Sequence, residues 1–306
     1  MLPVVSVIIP NYNHAPYLEE RIESILHQTW QDFEIIILDD CSTDNSKEVI
    51  ENYRSNNKVS KIIYNEKNTG VAFLQWQKGI EAASGDWVWI AESDDWCEAN
   101  LLETLMRGIS SNTVLAVAQS VVVSNDGKIR WKSEAAYLDK TYTGTDFIKN
   151  RMLLDNFGIP NASMCIFKRS EYAKVNKEFT SYKFCGDWLF WISIASFGDV
   201  YISGKYLNYF RKHDKDVSGS AYKNGLHYKE YFKLLDTLLE RQIITEEEKQ
   251  NLLIGKLKMF LKDKRLETNT RHEVKNKFRL LINGNYFPTV AKYKLVTFIK
   301  QLKGSG

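Results

Sequence analysis

The chain has 306 residues, 44% of them hydrophobic, and a formal charge of +3, so it can bury a large core, is not disordered, and is long enough for one domain with an appendage or for two domains. Its cysteines, Cys41, Cys97, Cys165 and Cys185, are widely spaced with no Cys-x-x-Cys pair; this pattern indicates neither a zinc site nor a disulfide framework, and reduced cytosolic thiols are expected. The small net charge hides an asymmetry: residues 249–306 carry 14 Lys and Arg against 3 Asp and Glu, a net +11 that leaves the preceding residues at −8.

No basic n-region with an apolar h-region opens the chain, and no apolar run approaches the length of a bilayer span, so neither export nor membrane integration is expected. Val4 to Ile9 is a β-branched, apolar run that predicts a buried strand stopped by Pro10. A dinucleotide-binding fold would need a glycine-rich turn next, but the chain reads Asn11-Tyr12-Asn13-His14 and has no glycine before Gly70, which removes the main support for an oxidoreductase. Leu18, Ile22, Ile25 and Leu26 then share one helical face, with Pro16 in the first turn. Phe33 to Leu38 predicts a second buried strand, ending in Asp39 and Asp40. Thr43 or Asp44 can cap the helix that carries Val49, Ile50 and Tyr53, a role that explains Asp44 well and Asp39 and Asp40 poorly. A short strand at Ile62 to Tyr64 and a helix over 71–83 lead to an apolar strand, Val88 to Ala91, that runs into Glu92, Asp94 and Asp95. Carboxylates there suit Mg²⁺ or Mn²⁺ bound jointly with substrate phosphates; alternatively, Asp94 or Asp95 caps a helix beginning near Glu98. Alternating strands and helices imply a mainly parallel sheet covered on both faces, with two acidic strand ends on the edge where such sheets bind ligands.

Beyond residue 110 the pattern is mixed. Val114 to Val123 and Lys128 to Trp131 predict antiparallel strands joined through Asn125-Asp126-Gly127, and 163–167 predicts another strand. Asp187 stands at the start of a helix striped by Trp188, Trp191, Ile192 and Ala195, where capping is one adequate role for it. Both tryptophans read as core, although one of them could line a ligand site. His213, after Tyr209, Arg211 and Lys212, is either a ligand or metal contact or part of an exposed basic cluster. The last third is helical, with capping boxes predicted at Thr245-x-x-Glu248 and Thr270-x-x-Glu273, and a final amphipathic stretch from Val290 to Leu302.

Taken together, Pro10-Asn-Tyr12-Asn13-His14, Gln28-Thr-Trp-Gln-Asp-Phe-Glu34, Leu38-Asp-Asp40-Cys-Ser42-Thr-Asp44, Asn68-Thr-Gly70, Ala83-Ser-Gly85-Asp86 and Glu92-Ser-Asp94-Asp95 resemble the inverting nucleotide-sugar glycosyltransferases of family 2, with their Rossmann-like GT-A fold. The resemblance is dense over residues 3–110 and thinner afterwards, where Tyr209 to His213 with Ser218 and Ser220 is similar to a segment that closes over the family's site. It implies an α/β fold, a mixed and mainly parallel sheet flanked by helices, with a C-terminal helical extension. Residues 1–220 would be the catalytic domain, 1–110 its nucleotide-binding half and 111–220 its acceptor-binding half, and 221–306 the basic helical extension. By the same likeness Pro10 and Tyr12 line the nucleoside pocket, Asp40 bonds the uracil ring, Asp94 contacts the nucleotide, Asp95 ligates a Mn or Mg ion, His213 is a further metal contact, and Asp187 is the catalytic base. Two departures are visible. Glu92 stands where the family often has Asp, and the Arg that often follows the Asn-x-Gly turn is missing, which leaves Lys78 as the cation expected at the phosphates.

The expected activity is metal-dependent hexosyl transfer from a nucleotide-sugar, UDP-linked, to a saccharide or lipid-linked saccharide acceptor in cell-surface polysaccharide synthesis. The alternatives are a sugar-phosphate nucleotidyltransferase, which would want a Gly-rich, Arg-containing loop after the first strand, and a non-catalytic nucleotide-sugar-binding protein of the same fold. No nucleic-acid-binding motif accompanies the basic tail. The expected place is the cytoplasm, at the inner face of the membrane if the basic C-terminal helices make peripheral contact with it.

Overall fold

The computed structural model describes residues 4–133, 139–154, 159–213 and 221–303; Ser218 and Ser220 lie outside them. The chain divides into two compact units, residues 1–213 and 214–306.

The first unit is built on one sheet. Its strands are β1 (Val5–Asn11), β2 (Phe33–Asp39), β3 (Val59–Tyr64), β4 (Trp87–Ile90), β5 (Trp96–Cys97), β6 (Thr113–Ser124), β7 (Ile129–Lys132), β8 (Lys140–Thr143), β9 (Cys165–Lys168) and β10 (Asp199–Lys212). They lie in the order β3-β2-β1-β4-β9-β6-β10-β5, with β7 beside β6 and β8 beside β10. The residues Ile35, Ile36, Ile37 and Leu38 are all fully buried, because β2 is a parallel strand covered on both faces, and that is why the run is continuously apolar rather than alternating. Helices α1 (Ala15–Leu26), α2 (Ser46–Asn52), α3 (Ala72–Ala82) and α4 (Leu101–Arg107) flank the sheet. Gly79 lets α3 approach closely, since a Cβ there would lie 2.3 Å from the Ile8 side chain. Helix α5 (Gly186–Ala195) is buried almost all round from Leu189 to Ala195, not only along the tryptophan stripe.

Pro10 does not stop β1. The strand continues to Asn11, paired with β2 at Pro10↔Leu38 and Asn11↔Asp39. The Ile8 carbonyl faces β4 and accepts from Ala91 N; two residues on, Pro10 faces the same way, past the last β4 pair at Ile8↔Ile90, so its missing N–H leaves no ladder bond unmade. The predicted hairpin is present as β6 and β7, turning at Gly127 with φ +76°. Asp94 and Asp95 do not cap a helix: the chain enters the short strand β5, and α4 begins only at Leu101 after Asn100.

Topology decides where chemistry gathers. β1, β2 and β4 are parallel, and β9 is antiparallel to both β4 and β6, so β6 and its parallel neighbour β10 run in the direction of β4. The carboxyl ends of β1, β2, β4 and β10 therefore reach the same edge.

The second unit contains α6 (Leu226–Glu240), α7 (Glu246–Lys262), α8 (Thr268–Leu281) and α9 (Tyr286–Lys303). Tyr228, Phe232, Phe260 and Phe278 form its aromatic centre, with the Phe232 and Phe278 rings 4.8 Å apart. Thr245 and Glu248 make the predicted reciprocal cap of α7. The box predicted at Thr270 is not formed. Helix α8 starts at Thr268, and the Arg271 N–H already closes a helical turn on the Glu267 carbonyl at 2.8 Å, which places Thr270 inside the first turn.

Candidate active site

The loops after β1 and β2 are knitted together by polar side chains. Asn13, at φ +56°, accepts from the Thr43 N–H at 2.7 Å through its Oδ1, and Asn11 donates to Asp39 at 2.8 Å. Asp44 accepts from the N–H of Ala15 and of Ser46, each at 3.0 Å, and so serves the first turns of α1 and α2 together. Asp40 is buried, and both its oxygens are engaged: it accepts from Asn65 Nδ2 at 2.6 Å, Thr69 Oγ1 at 2.7 Å, Thr69 N at 3.0 Å and Gln75 Nε2 at 2.9 Å. This carboxylate fixes the Asn68-Thr-Gly70 turn at the mouth of the edge. Lys78, exposed on α3, donates to Asn65 Oδ1 at 2.5 Å and thus stands beside the Asp40 cluster. Pro10 is buried in β1, and Tyr12, directly after it, is 43% exposed.

The acidic turn after β4 divides its three carboxylates among three environments. Glu92 accepts from the Trp76 indole N–H at 2.9 Å. Desolvation first, then the carboxylates of Asp94 and Asp95, push its pKa up to about 8. Asp95 is fully buried, accepting at Oδ2 from Ser163 Oγ at 2.6 Å and Asn161 Nδ2 at 2.8 Å, and at Oδ1 from the Arg211 N–H at 3.1 Å. Burial, then the neighbouring Asp94, raises its pKa. Asp94 behaves oppositely. Burial alone would raise it, but the hydrogen bond with His213 and the positive potential of His14 and His213 outweigh that and hold it below the usual value. Arg21, fully buried with its guanidinium 4.8 Å from the Trp89 ring centre, supplies positive charge that partly offsets Glu92 and Asp95.

His213 Nε2 lies 3.0 Å from Asp94 Oδ2, and the His213 side chain is almost wholly enclosed. Its ring stacks on Tyr17 at 5.3 Å and meets His14 edge-on at 5.4 Å. One donor atom from each of His14, Asp94 and His213 lies within 4.8 Å of the others. A carboxylate and two imidazoles at that spacing fit a divalent cation that accepts both oxygen and nitrogen. His213, expected to meet a metal, is thus in such a group; Asp95, expected to be a ligand, has its oxygens committed to Ser163, Asn161 and Arg211.

Asp187 occupies the first turn of α5, its Oδ1 accepting from the Trp188 N–H at 2.8 Å. The preceding Gly186 is fitted against the start of α3, where a Cβ would come within 2.5 Å of the Phe73 ring. Asp187 therefore sits beside the helix that carries Gln75 and Trp76, the partners of Asp40 and Glu92.

A family model described as Glycosyl transferase family 2 matches residues 6–175, more than half of the chain. The chain belongs to glycosyltransferase family 2. It is 38% identical over 109 residues to Glycosyltransferase GlyG of Streptococcus pneumoniae, a match that covers 36% of each chain. It is 27% identical over 244 residues to the GalNAc(5)-diNAcBac-PP-undecaprenol beta-1,3-glucosyltransferase of Campylobacter jejuni, covering 78% of this chain and 76% of that one. The matched stretch thus spans about a third of the length of GlyG and 40% of that of TuaG of Bacillus subtilis. A crystal structure of S. aureus TarS residues 1–349 in complex with UDP-GlcNAc superposes with a TM-score of 0.67 at 18% identity, covering 94% of this chain and 83% of that one. It establishes the GT-A fold.

Within this family 2 site, three residues escape a reading by segments. His14 stands between β1 and α1, and only the strand order brings it to Asp94. Arg211 is 11% exposed, donating from Nε to the Asp94 carbonyl at 3.0 Å, with its guanidinium 4.4 Å from the Trp96 ring centre and 4.9 Å from that of Tyr17. Ser163, which holds Asp95, also accepts from the Glu92 N–H at 2.9 Å. The signal available in the sequence was positional: each stands at or just past an end of a strand on the acidic edge.

Proposed function

We propose that this protein is a metal-dependent, inverting glycosyltransferase that moves a sugar from a UDP-sugar to a hydroxyl of a saccharide or lipid-linked saccharide, in cell-surface polysaccharide synthesis. The observation that carries the reading is the convergence of His14, Asp94 and His213 at the carboxyl edge of a family 2 sheet. The donor class is supported by TarS, whose structure holds UDP-GlcNAc, and the acceptor class by the Campylobacter jejuni relative, whose name specifies an undecaprenol-diphosphate-linked saccharide.

The cation is assigned to Asp94, His213 and His14 rather than to Asp95, whose oxygens already accept from three protein donors. Two imidazoles in the set favour Mn²⁺ over Mg²⁺, which prefers oxygen throughout. A divalent cation held by these residues would offset the charge that develops on the leaving diphosphate. Tyr12 and Pro10 flank the nucleoside, Asp40 shapes the uracil end of the pocket through the Asn68-Thr-Gly70 turn it holds, and Lys78 faces the phosphates. Asp187 takes the proton of the acceptor hydroxyl as that oxygen bonds the anomeric carbon. The bond from that carbon to the diphosphate breaks on the opposite face, the nucleoside diphosphate leaves with the electron pair, and the configuration inverts. Asp187 stands in the first turn of α5, where the helix N-terminus favours negative charge. The four cysteines, all free, suit action in the cytoplasm.

Asp187→Asn tests the assignment. It keeps shape while removing the proton acceptor, so kcat is expected to fall about 10²- to 10⁴-fold with UDP affinity unchanged. A variant with near-normal transfer places the base elsewhere.

A further inference from the structure

The second unit exposes apolar side chains among cations. Leu280, at the end of α8, is 79% exposed, and Phe287 and Leu295 on α9 are 66% and 59% exposed. Phe287, Ala291 and Leu295 follow one another at four-residue spacing, so they share one face of α9, and Ala291 is exposed as well. This is not the face that packs inward: Tyr286 is buried, and Val290 and Tyr293 are half-buried. Single exposed leucines are common on soluble proteins and need no explanation. Phe287 and Leu295 on one face of α9, with Leu280 at the end of the preceding helix, are different, because each would gain by leaving water.

The charges beside these side chains are mostly positive: the exposed Glu273, two turns before Leu280 on α8, is paired with Lys229 at 3.0 Å. Lys275, Lys277 and Arg279 on α8 and Lys292 on α9 are all exposed, and the Arg279 guanidinium lies 5.6 Å from the Phe287 ring centre. From residue 274 to the end of the chain there is no Asp or Glu. Phe and Leu on one side of a helix with lysine and arginine around them make the pattern of a helix that lies in the headgroup region, apolar face inward and cations at the phosphates. No described helix is long and apolar enough to cross a membrane, so the contact this face can make is peripheral.

We propose that the face formed by Leu280, Phe287, Ala291 and Leu295, with Lys275, Lys277, Arg279 and Lys292 around it, docks on an anionic phospholipid surface. The charge complementarity selects the occupant: a second copy of this chain would bring the same cations against these, whereas an anionic leaflet offers phosphates to those that flank the apolar side chains. The inference rests on this unit's surface alone and holds or fails independently of how the catalytic centre is read.

The test is cosedimentation of the full chain with vesicles of phosphatidylcholine containing about one-third phosphatidylglycerol, and with phosphatidylcholine alone. Full-length protein is expected to pellet with the anionic vesicles at low salt and to lose at least roughly tenfold in partition coefficient at about 0.5 M salt, where screening is nearly complete over a few ångströms. The triple variant Leu280→Ser, Phe287→Ser, Leu295→Ser and, separately, Lys275→Gln, Lys277→Gln, Arg279→Gln, Lys292→Gln are each expected to lose about tenfold or more at low salt. The substituted side chains are exposed, and thermal unfolding checks that both variants remain folded. Failure of the full chain to pellet, equal binding to neutral vesicles, or wild-type binding by folded variants overturns the proposal. So does concentration-dependent dimerisation in sedimentation velocity that the triple variant abolishes, which would show that a second copy covers this face.

Discussion

Arg211→Ala is the perturbation that most directly probes how the acidic turn is held. The guanidinium donates a charged hydrogen bond to the Asp94 carbonyl at 3.0 Å, of a kind that contributes roughly 1.5–3 kcal/mol. It also lies over the Trp96 and Tyr17 rings at 4.4 and 4.9 Å, each contact adding about 0.5–2 kcal/mol in a site this enclosed. Its ion pair with Glu20, whose side chain is 53% exposed, adds less than about 1 kcal/mol. These terms are not additive, and a net loss of about 3–5 kcal/mol is expected, which for a unit of this size lowers Tm by on the order of 10 °C. Function is expected to fail before folding does. With its carbonyl unheld, Asp94 loses its fixed position relative to His213, and supporting contacts of this kind are worth about 10- to 100-fold in metal affinity. Thermal unfolding and Mn²⁺ titration in the presence of UDP measure the two effects. Arg211→Lys keeps the charge but not the planar stack and is expected to fall between. Wild-type Tm and Mn²⁺ affinity in Arg211→Ala would refute the positioning role.

Two further outcomes test the scaffold. Burial alone would raise the pKa of Glu34, but hydrogen bonds from Ser6, Ser60 and Ser84, including the Ser84 N–H, outweigh it and depress it. The stability it contributes is thus present above its unfolded pKa near 4.3 and lost as pH falls below that, so Glu34→Gln should flatten the acid limb of unfolding, and an unchanged limb in urea titrations would contradict this. Thr245→Ala removes the cap of α7 and is expected to destabilise the second unit by about 1 kcal/mol, measured by denaturant unfolding of the full chain; no change would mean that the helix end is held otherwise.

The first half of the fold was legible because its elements are local. Continuous apolar runs become β2 and β4, helical stripes become α1 and α3, and the carboxylates stand where those runs stop. What escaped depends on distant pairing. β10 is a long strand with register shifts at Asp199/Val200, between Ile202 and Tyr206, and between Tyr206 and Asn208, so no steady alternation marks it. Its course is nevertheless what carries Arg211 and His213 to Asp94, more than a hundred residues earlier in the chain. The three acidic residues could be found in the sequence, but their division of labour could not. That Asp95 is occupied by Asn161, Ser163 and the Arg211 N–H, while Asp94 faces two histidines, follows from contacts across the sheet that no spacing records.

In the proposed reaction a divalent cation held by Asp94, His213 and His14 would join the donor diphosphate to the protein. Calorimetric titration of UDP into the full chain, in Mn²⁺ and in EDTA, tests it most directly, with Asp94→Asn and His213→Gln alongside. Mn²⁺ is expected to tighten UDP binding by at least about tenfold, as where metal and phosphates share a site. EDTA is expected to remove this gain, and neither variant is expected to show it. Equal UDP affinity in Mn²⁺ and EDTA, or a full Mn²⁺ effect in Asp94→Asn, would contradict it.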